Sequence, residues 1–72
     1  MNFADLLKEV RRRCLISQEG LANELHVSFC TVNRWETGRT QPHYNALKAF
    51  KAFCAENGIE IELVNNSWRI KD

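Results

Sequence analysis

The chain is short of the features that mark most enzymes, secreted proteins and membrane proteins. Its 72 residues include three glycines and one proline, with no glycine-rich run that could cradle a phosphate and no repeat or low-complexity segment. No apolar run approaches the length of a membrane span. The first residues carry Asp5, Lys8 and Glu9 where the apolar region of a signal peptide would lie, so no such peptide is expected. The three cysteines, Cys14, Cys30 and Cys54, are odd in number and never stand in a Cys-x-x-Cys spacing. They predict reduced thiols in a cytoplasmic setting, and neither a disulfide framework nor a zinc site. Adding His26 and His43 gives no metal-ligand spacing either, so no metal and no cofactor are expected. No nucleophile has a base at recognisable spacing, and Glu60 and Glu62 alternate along a strand as a solvated face does. An enzyme is not expected.

What is present suits one small domain. The length lies near the lower limit for a core without staples, and 44% of the residues are hydrophobic. The net charge is only +1, but it is unevenly spread. Residues 1–51 hold eight Lys/Arg against five Asp/Glu, whereas residues 52–72 hold two against four. Basic charge therefore travels with the first part of the chain.

Hydrophobic periodicity predicts a first helix over Phe3–Arg13, capped by Asn2 and striped by Phe3, Leu6, Leu7, Val10 and Cys14. The run Arg11–Arg12–Arg13 is too short for a polybasic motif; Arg12 and Arg13 read as a solvated helix end that complements the macrodipole. Leu15 and Ile16 bridge to the most informative stretch, Ser17–Pro42. Ser17 reads as the N-cap of a second helix, Gln18–Leu25, with Leu21, Ala22 and Leu25 on one face. After a break at His26–Val27–Ser28, Ser28 caps a third helix, about Phe29–Thr37. This one buries Val32 and Trp35 and turns Phe29, Cys30, Asn33 and Arg34 elsewhere. A helix with so little buried surface and a mixed polar and basic outer face presents that face to a partner. The arrangement is a helix-turn-helix, whose second helix lies in the DNA major groove.

Gly38 suits a positive-φ helix end. After Arg39–Thr40–Gln41, Pro42 suits the start of a fourth helix running to about Asn57, with His43 in its first turn and Leu47, Phe50, Phe53 and Cys54 as its stripe. Gly58 ends it. Beyond it, Ile59–Val64 and Ser67–Lys71 alternate around Asn65–Asn66, a pair suited to a two-residue turn. Folding there sets Leu63 opposite Trp68 and Ile61 opposite Ile70 on one face, with Glu62 opposite Arg69 and Glu60 opposite Lys71 on the other. Apolar pairs on one side and opposite charges on the other support each other, so a hairpin is expected. Residues 1–58 then form the helical part, and residues 59–72 a hairpin belonging to the same domain.

The segment Arg11–Leu47 resembles the phage-repressor and Cro type of helix-turn-helix, also described as lambda repressor-like. The resemblance rests on Arg11, Gln18, Leu21–Ala22, Val27–Ser28, Val32, Trp35–Glu36, Gly38–Arg39 and Pro42 at the family's spacing. It departs from the family pattern at His26, which replaces the usual turn glycine, and at Gly20, which sits inside a helix at a cost of about 0.5–1 kcal/mol relative to Ala. The hairpin stands where many members have a fifth helix. The resemblance implies a mainly α bundle of about four helices with the C-terminal β-hairpin attached. It implies that Gln18 holds a DNA phosphate and that Ser28, Phe29, Cys30, Asn33 and Arg34 face the groove. It also implies that Arg39 and Thr40 contact the backbone, and that Arg11 and Glu36 form an internal ion pair.

Side-chain chemistry is compatible with those roles. Arg34 can donate bidentately to guanine and Asn33 can pair with adenine. Phe29 could touch thymine methyls or instead pack back on the second helix. The function expected is a sequence-specific double-stranded DNA-binding transcription regulator. It would be a repressor acting as a homodimer on a roughly palindromic operator, with no ligand-sensing domain. The alternatives are an antitoxin that binds its operator and a toxin partner, and a protein-interaction module without DNA binding. The hairpin face of Ile61, Leu63, Trp68 and Ile70 is expected to pack against a twofold mate, the alternative cover being Phe50 and Phe53 of its own chain.

Overall fold

The computed structural model describes residues 1–71; Asp72, the last residue of the hairpin segment, lies outside them. The elements are α1 (Phe3–Cys14), α2 (Gln18–Leu25), α3 (Phe29–Glu36), α4 (Tyr44–Glu56), β1 (Glu60–Val64) and β2 (Ser67–Lys71). Three of the helices start on a capping side chain. Asn2 Oδ1 accepts from the Asp5 N–H at 2.8 Å, Ser17 Oγ from Gly20 at 2.9 Å, and Ser28 Oγ from Thr31 at 3.0 Å. Such caps contribute about 1 kcal/mol each. The fourth start differs from the expectation. His43, with φ −69° and ψ 165°, is the extended residue before α4 and makes no side-chain cap bond. Pro42 therefore lies outside the helix, and the His43 carbonyl accepts from Leu47 at 2.9 Å in the way an N-cap carbonyl does.

All four helices end in one hydrogen-bonding pattern, a left-handed residue whose N–H and that of its successor fold back on the last turn. At α3 and α4 that residue is Gly38 (φ 76°) and Gly58 (φ 72°). At α1 and α2 it is Leu15 (φ 53°) and His26 (φ 58°). In α1 the Ile16 N–H reaches Arg11 O at 3.1 Å, and in α2 the Val27 N–H reaches Ala22 O at 3.0 Å. The stripe predicted for α1 thus runs on to Cys14, and the chain then turns sharply on a leucine that is 94% exposed.

The core lies where α1, α2 and α3 meet over α4, with Leu6, Leu7, Val10, Leu21, Val32 and Phe50 fully buried. Phe3 ties the layers together. Its ring meets Trp35 of α3 at 6.0 Å, Phe50 of α4 at 5.5 Å and Trp68 of β2 at 6.1 Å, each edge to face, an arrangement that adds about 0.5–1.5 kcal/mol per pair beyond burial.

The hairpin has the register Glu60↔Lys71, Ile61↔Ile70, Glu62↔Arg69, Leu63↔Trp68 and Val64↔Ser67. Asn65 and Asn66, at φ 52° and 61°, supply the two positive-φ residues of a tight hairpin turn. The sheet does not stand free. Ile61, Trp68 and Ile70 pack on the helical core, with β1 against α4 and β2 against α1. The Met1 backbone extends the other edge, its carbonyl accepting from Trp68 N at 2.7 Å and its nitrogen donating to Trp68 O at 2.9 Å. The expected twofold mate for Ile61, Leu63, Trp68 and Ile70 would be a second chain; within one chain, Ile61, Trp68 and Ile70 already rest partly on the helical core. Two strands are marginal in water, and the chain's own α1 and α4 leave these three side chains half-buried. Leu63 is the most open of the four, at 54% exposure. On the opposite face Glu62 accepts a hydrogen bond from Arg69, and Glu60 stands across from Lys71.

Candidate nucleic-acid interface

Placement of α3 begins with its buried side. Val32 and Trp35 fix it against Leu21, Ala22 and Leu25 of α2 in one core cluster. The connecting turn is shaped by His26 in the left-handed region, which His tolerates better than most residues. Val27 then packs on the core, and the Ser28 hydroxyl lies 2.8 Å from that of Thr31 in the first turn of α3. Gly20 has a packing reason that the sequence did not show. A Cβ there would lie 2.8 Å from Ile16 Cγ1 and 3.2 Å from Ser17 Oγ, so its absence lets the incoming chain close over α2.

What remains outward is the face of Ser28, Phe29, Cys30, Asn33 and Arg34, all exposed. Phe29 is 50% exposed and is not among the side chains packed on the core. Arg39 and Thr40 follow, also exposed, on the loop after Gly38. The structure adds neighbours that sequence reasoning passed over. Thr31, Gln41 and His43 join Arg34 and Thr40 around a hollow of about 280 Å³ between α3 and the start of α4. The available signal was the polar run from Thr37 to His43 directly after the helix.

Behind this face lies a polar network. Arg11 of α1 grips Glu36 at the end of α3 with two parallel bonds, Nε to Oε2 at 2.6 Å and Nη2 to Oε1 at 3.0 Å. Its Nη1 donates to Ile16 O at 3.1 Å, which also ties down the junction before α2. Gln18, the first residue of α2, donates from Nε2 to Glu36 Oε1 at 3.0 Å and accepts from Asn33 Nδ2 at 3.4 Å. Gln18 therefore does not simply project outward; it joins the buried carboxylate to the exposed face. Burial pushes the Glu36 carboxyl up, but the Arg11 and Gln18 hydrogen bonds and the Arg11 charge outweigh it and hold it below the ordinary range. Among the described residues no buried side-chain nitrogen or oxygen lacks a hydrogen-bond partner.

The other two arginines of α1 are engaged locally. Arg12 and Arg13 converge on Glu9, at 2.6 Å and 3.0 Å, and their hydrogen bonds lower its carboxyl to about 2. The cysteines separate by place: Cys30 is exposed on the α3 face, whereas burial, with the neighbouring Cys14 adding to it, pushes the Cys54 thiol up to about 12.

Comparison with known proteins points the same way as this geometry. A family model described as a helix-turn-helix domain matches residues 2–63. The HTH-type transcriptional activator BcrR of Enterococcus faecalis is 34% identical over 53 residues, which are 74% of this chain and 26% of that protein. The match thus spans about a quarter of the relative's length.

Proposed function

This chain belongs to the helix-turn-helix domain family, and we propose that it is a sequence-specific double-stranded DNA-binding transcription regulator. One observation carries the reading. α3 buries Val32, Trp35 and Glu36 and leaves Ser28, Phe29, Cys30, Asn33 and Arg34 outward, supported from behind by α2. Arg34 and Asn33 would read base edges, Phe29 and Cys30 would offer apolar contact, and Gln18, Arg39 and Thr40 would hold the backbone. Its place of action would be the cytoplasm, on the bacterial or phage DNA it controls.

The finer reading is a repressor that binds a roughly palindromic operator as a homodimer. Repression by occupancy requires only the DNA-facing surface described above. A dimer would set two α3 helices about 34 Å apart, and the hairpin's exposed Leu63, beside half-buried Ile61, Trp68 and Ile70, would offer it an apolar surface. The relative's name describes an activator, so the sign of regulation is part of the test. Selection from random duplexes, followed by footprinting and light scattering of the complex, is expected to give two half-sites covered by two chains. A reporter carrying that operator at its promoter should fall in output when the protein is expressed. Binding equally strong on all sequences would overturn the regulator reading. A monomer on a single half-site would overturn the dimer alone.

A further inference from the structure

Each member of the network Arg11–Glu36–Gln18–Asn33 is constrained by what it can donate. Arg11 only donates. Glu36, held ionised below the ordinary carboxyl range, only accepts. Gln18 and Asn33 carry amides, and each amide could point either way in isolation. Next to Glu36, Gln18 must turn its NH2 inward, where Nε2 lies 3.0 Å from Glu36 Oε1. That leaves Gln18 Oε1 facing Asn33, which must then donate, as its Nδ2 does at 3.4 Å. Every donor in the chain therefore points toward the buried carboxylate.

We infer that Glu36 sets the hydrogen-bond polarity of the exposed α3 face, so that Asn33 reads adenine in preference to guanine. This rests on the DNA-binding reading above. With one N–H given to Gln18, Asn33 keeps its Oδ1 and a second N–H for a base edge. That pattern matches the N6 donor and N7 acceptor of adenine. With the polarity reversed, Oδ1 would accept from Gln18 with one lone pair and keep the other, so the donor and acceptor offered to the base would change places and the match to adenine would be lost. Glu36 touches no base and acts through Gln18, which makes it a positioning residue for specificity.

Glu36→Gln releases the relay. Arg11 donates to both carboxylate oxygens and Gln18 shares Oε1, so an amide with one oxygen cannot accept all three bonds, and Gln18 is no longer held in one orientation. Gln18→Met removes both ends of the link while keeping the side-chain length, and it leaves the Arg11–Glu36 pair intact, so it covers the case in which Glu36→Gln does not fold. The experiment takes the operator selected by the native protein and compares adenine with guanine at every position. The position read by Asn33 is the one whose preference disappears in Asn33→Ala. There the native protein should favour adenine by roughly five- to 100-fold, and Glu36→Gln and Gln18→Met should both show little preference. Folded Glu36→Gln or Gln18→Met keeping the native adenine preference would overturn the inference, as would Asn33→Ala leaving every position unchanged. If the native protein selects no sequence, the DNA reading itself fails, and the relay is still tested without DNA. In the free protein one proton of the Asn33 NH2 group should resonate as hydrogen-bonded, and this should be lost in Glu36→Gln and in Gln18→Met. Identical Asn33 signals in all three proteins would overturn the relay.

Discussion

Two arginines adjacent on α1 form ion pairs that have almost nothing else in common. Arg11 crosses from the end of α1 to Glu36, whose side chain is 4% exposed. There it closes the junction before α2 and supports Gln18 behind the outward face of α3. Arg12 turns back with Arg13 to Glu9, one helical turn away on the same helix. The first pair has been taken largely out of water, where an unpaired partner is costly. The second is solvated, where such pairs contribute little and salt screens them. Neighbouring positions of one residue type thus serve a tertiary purpose and a local one, and burial of the carboxylate decides which.

The largest test of that difference is removal of Arg11. Arg11→Ala leaves Glu36 buried without its charge partner and is expected to lower unfolding stability by about 3–5 kcal/mol, measured by urea denaturation. A double-mutant cycle with Glu36→Ala should show strong coupling. Additive effects would place Arg11 and Glu36 with the surface pairs.

Acid should come next in size. Glu9 and Glu36 are both held below the ordinary carboxyl value of 4.5 in the folded chain. Their contributions, large for buried Glu36 and slight for solvated Glu9, are fully present above that value and are lost as pH falls through the folded values, toward about 2 for Glu9. Thermal midpoints should drop on acidification below about pH 4.5, and Glu36→Gln, if folded, should flatten much of that slope. An unchanged slope would mean that other carboxyls carry it.

A smaller effect, of opposite sign, is expected at the link between the two pairs. Leu15 holds a left-handed conformation at φ 53° with its side chain in solvent. Leu15→Gly removes a cost of roughly 1–2 kcal/mol but frees the unfolded chain, for a net gain of about 0.5–1 kcal/mol. A loss of stability would show that the exposed leucine packs on something. Glu9→Gln should be the quietest change, nearly silent in the melting midpoint and more so at high salt.

Much of the fold was legible because its signals are local. Asn2, Ser17 and Ser28 announce helix starts through their own side chains, Gly38 and Gly58 announce two helix ends, and alternation around Asn65–Asn66 fixes the hairpin register. Leu15 gave no such signal, because nothing in a leucine favours positive φ; the surrounding packing imposes it. His43 could not be told from a first-turn residue by pattern. The alternation showed that the hairpin had an apolar face but left open whether a twofold mate or the chain's own helices pack on it, because that depends on how separate elements meet. The outward residues of α3 could be listed from helical spacing alone. Their link through Gln18 to Glu36 could not, because it depends on the distance between two helices, and the closeness of Gly20 to Ile16 was hidden for the same reason.

The ring of Phe3 has a spectroscopic consequence. It stands edge-on to both Trp35 and Trp68, the two tryptophans of the chain. One emits from the helical core and the other from the hairpin, yet both report on the same neighbour. Intrinsic fluorescence will therefore merge the two regions into a single unfolding signal, and coincident transitions in that signal are no proof of two-state behaviour. With Trp68 replaced by Phe, emission would follow the helices alone, and comparison with the native curve would reveal whether the hairpin leaves first.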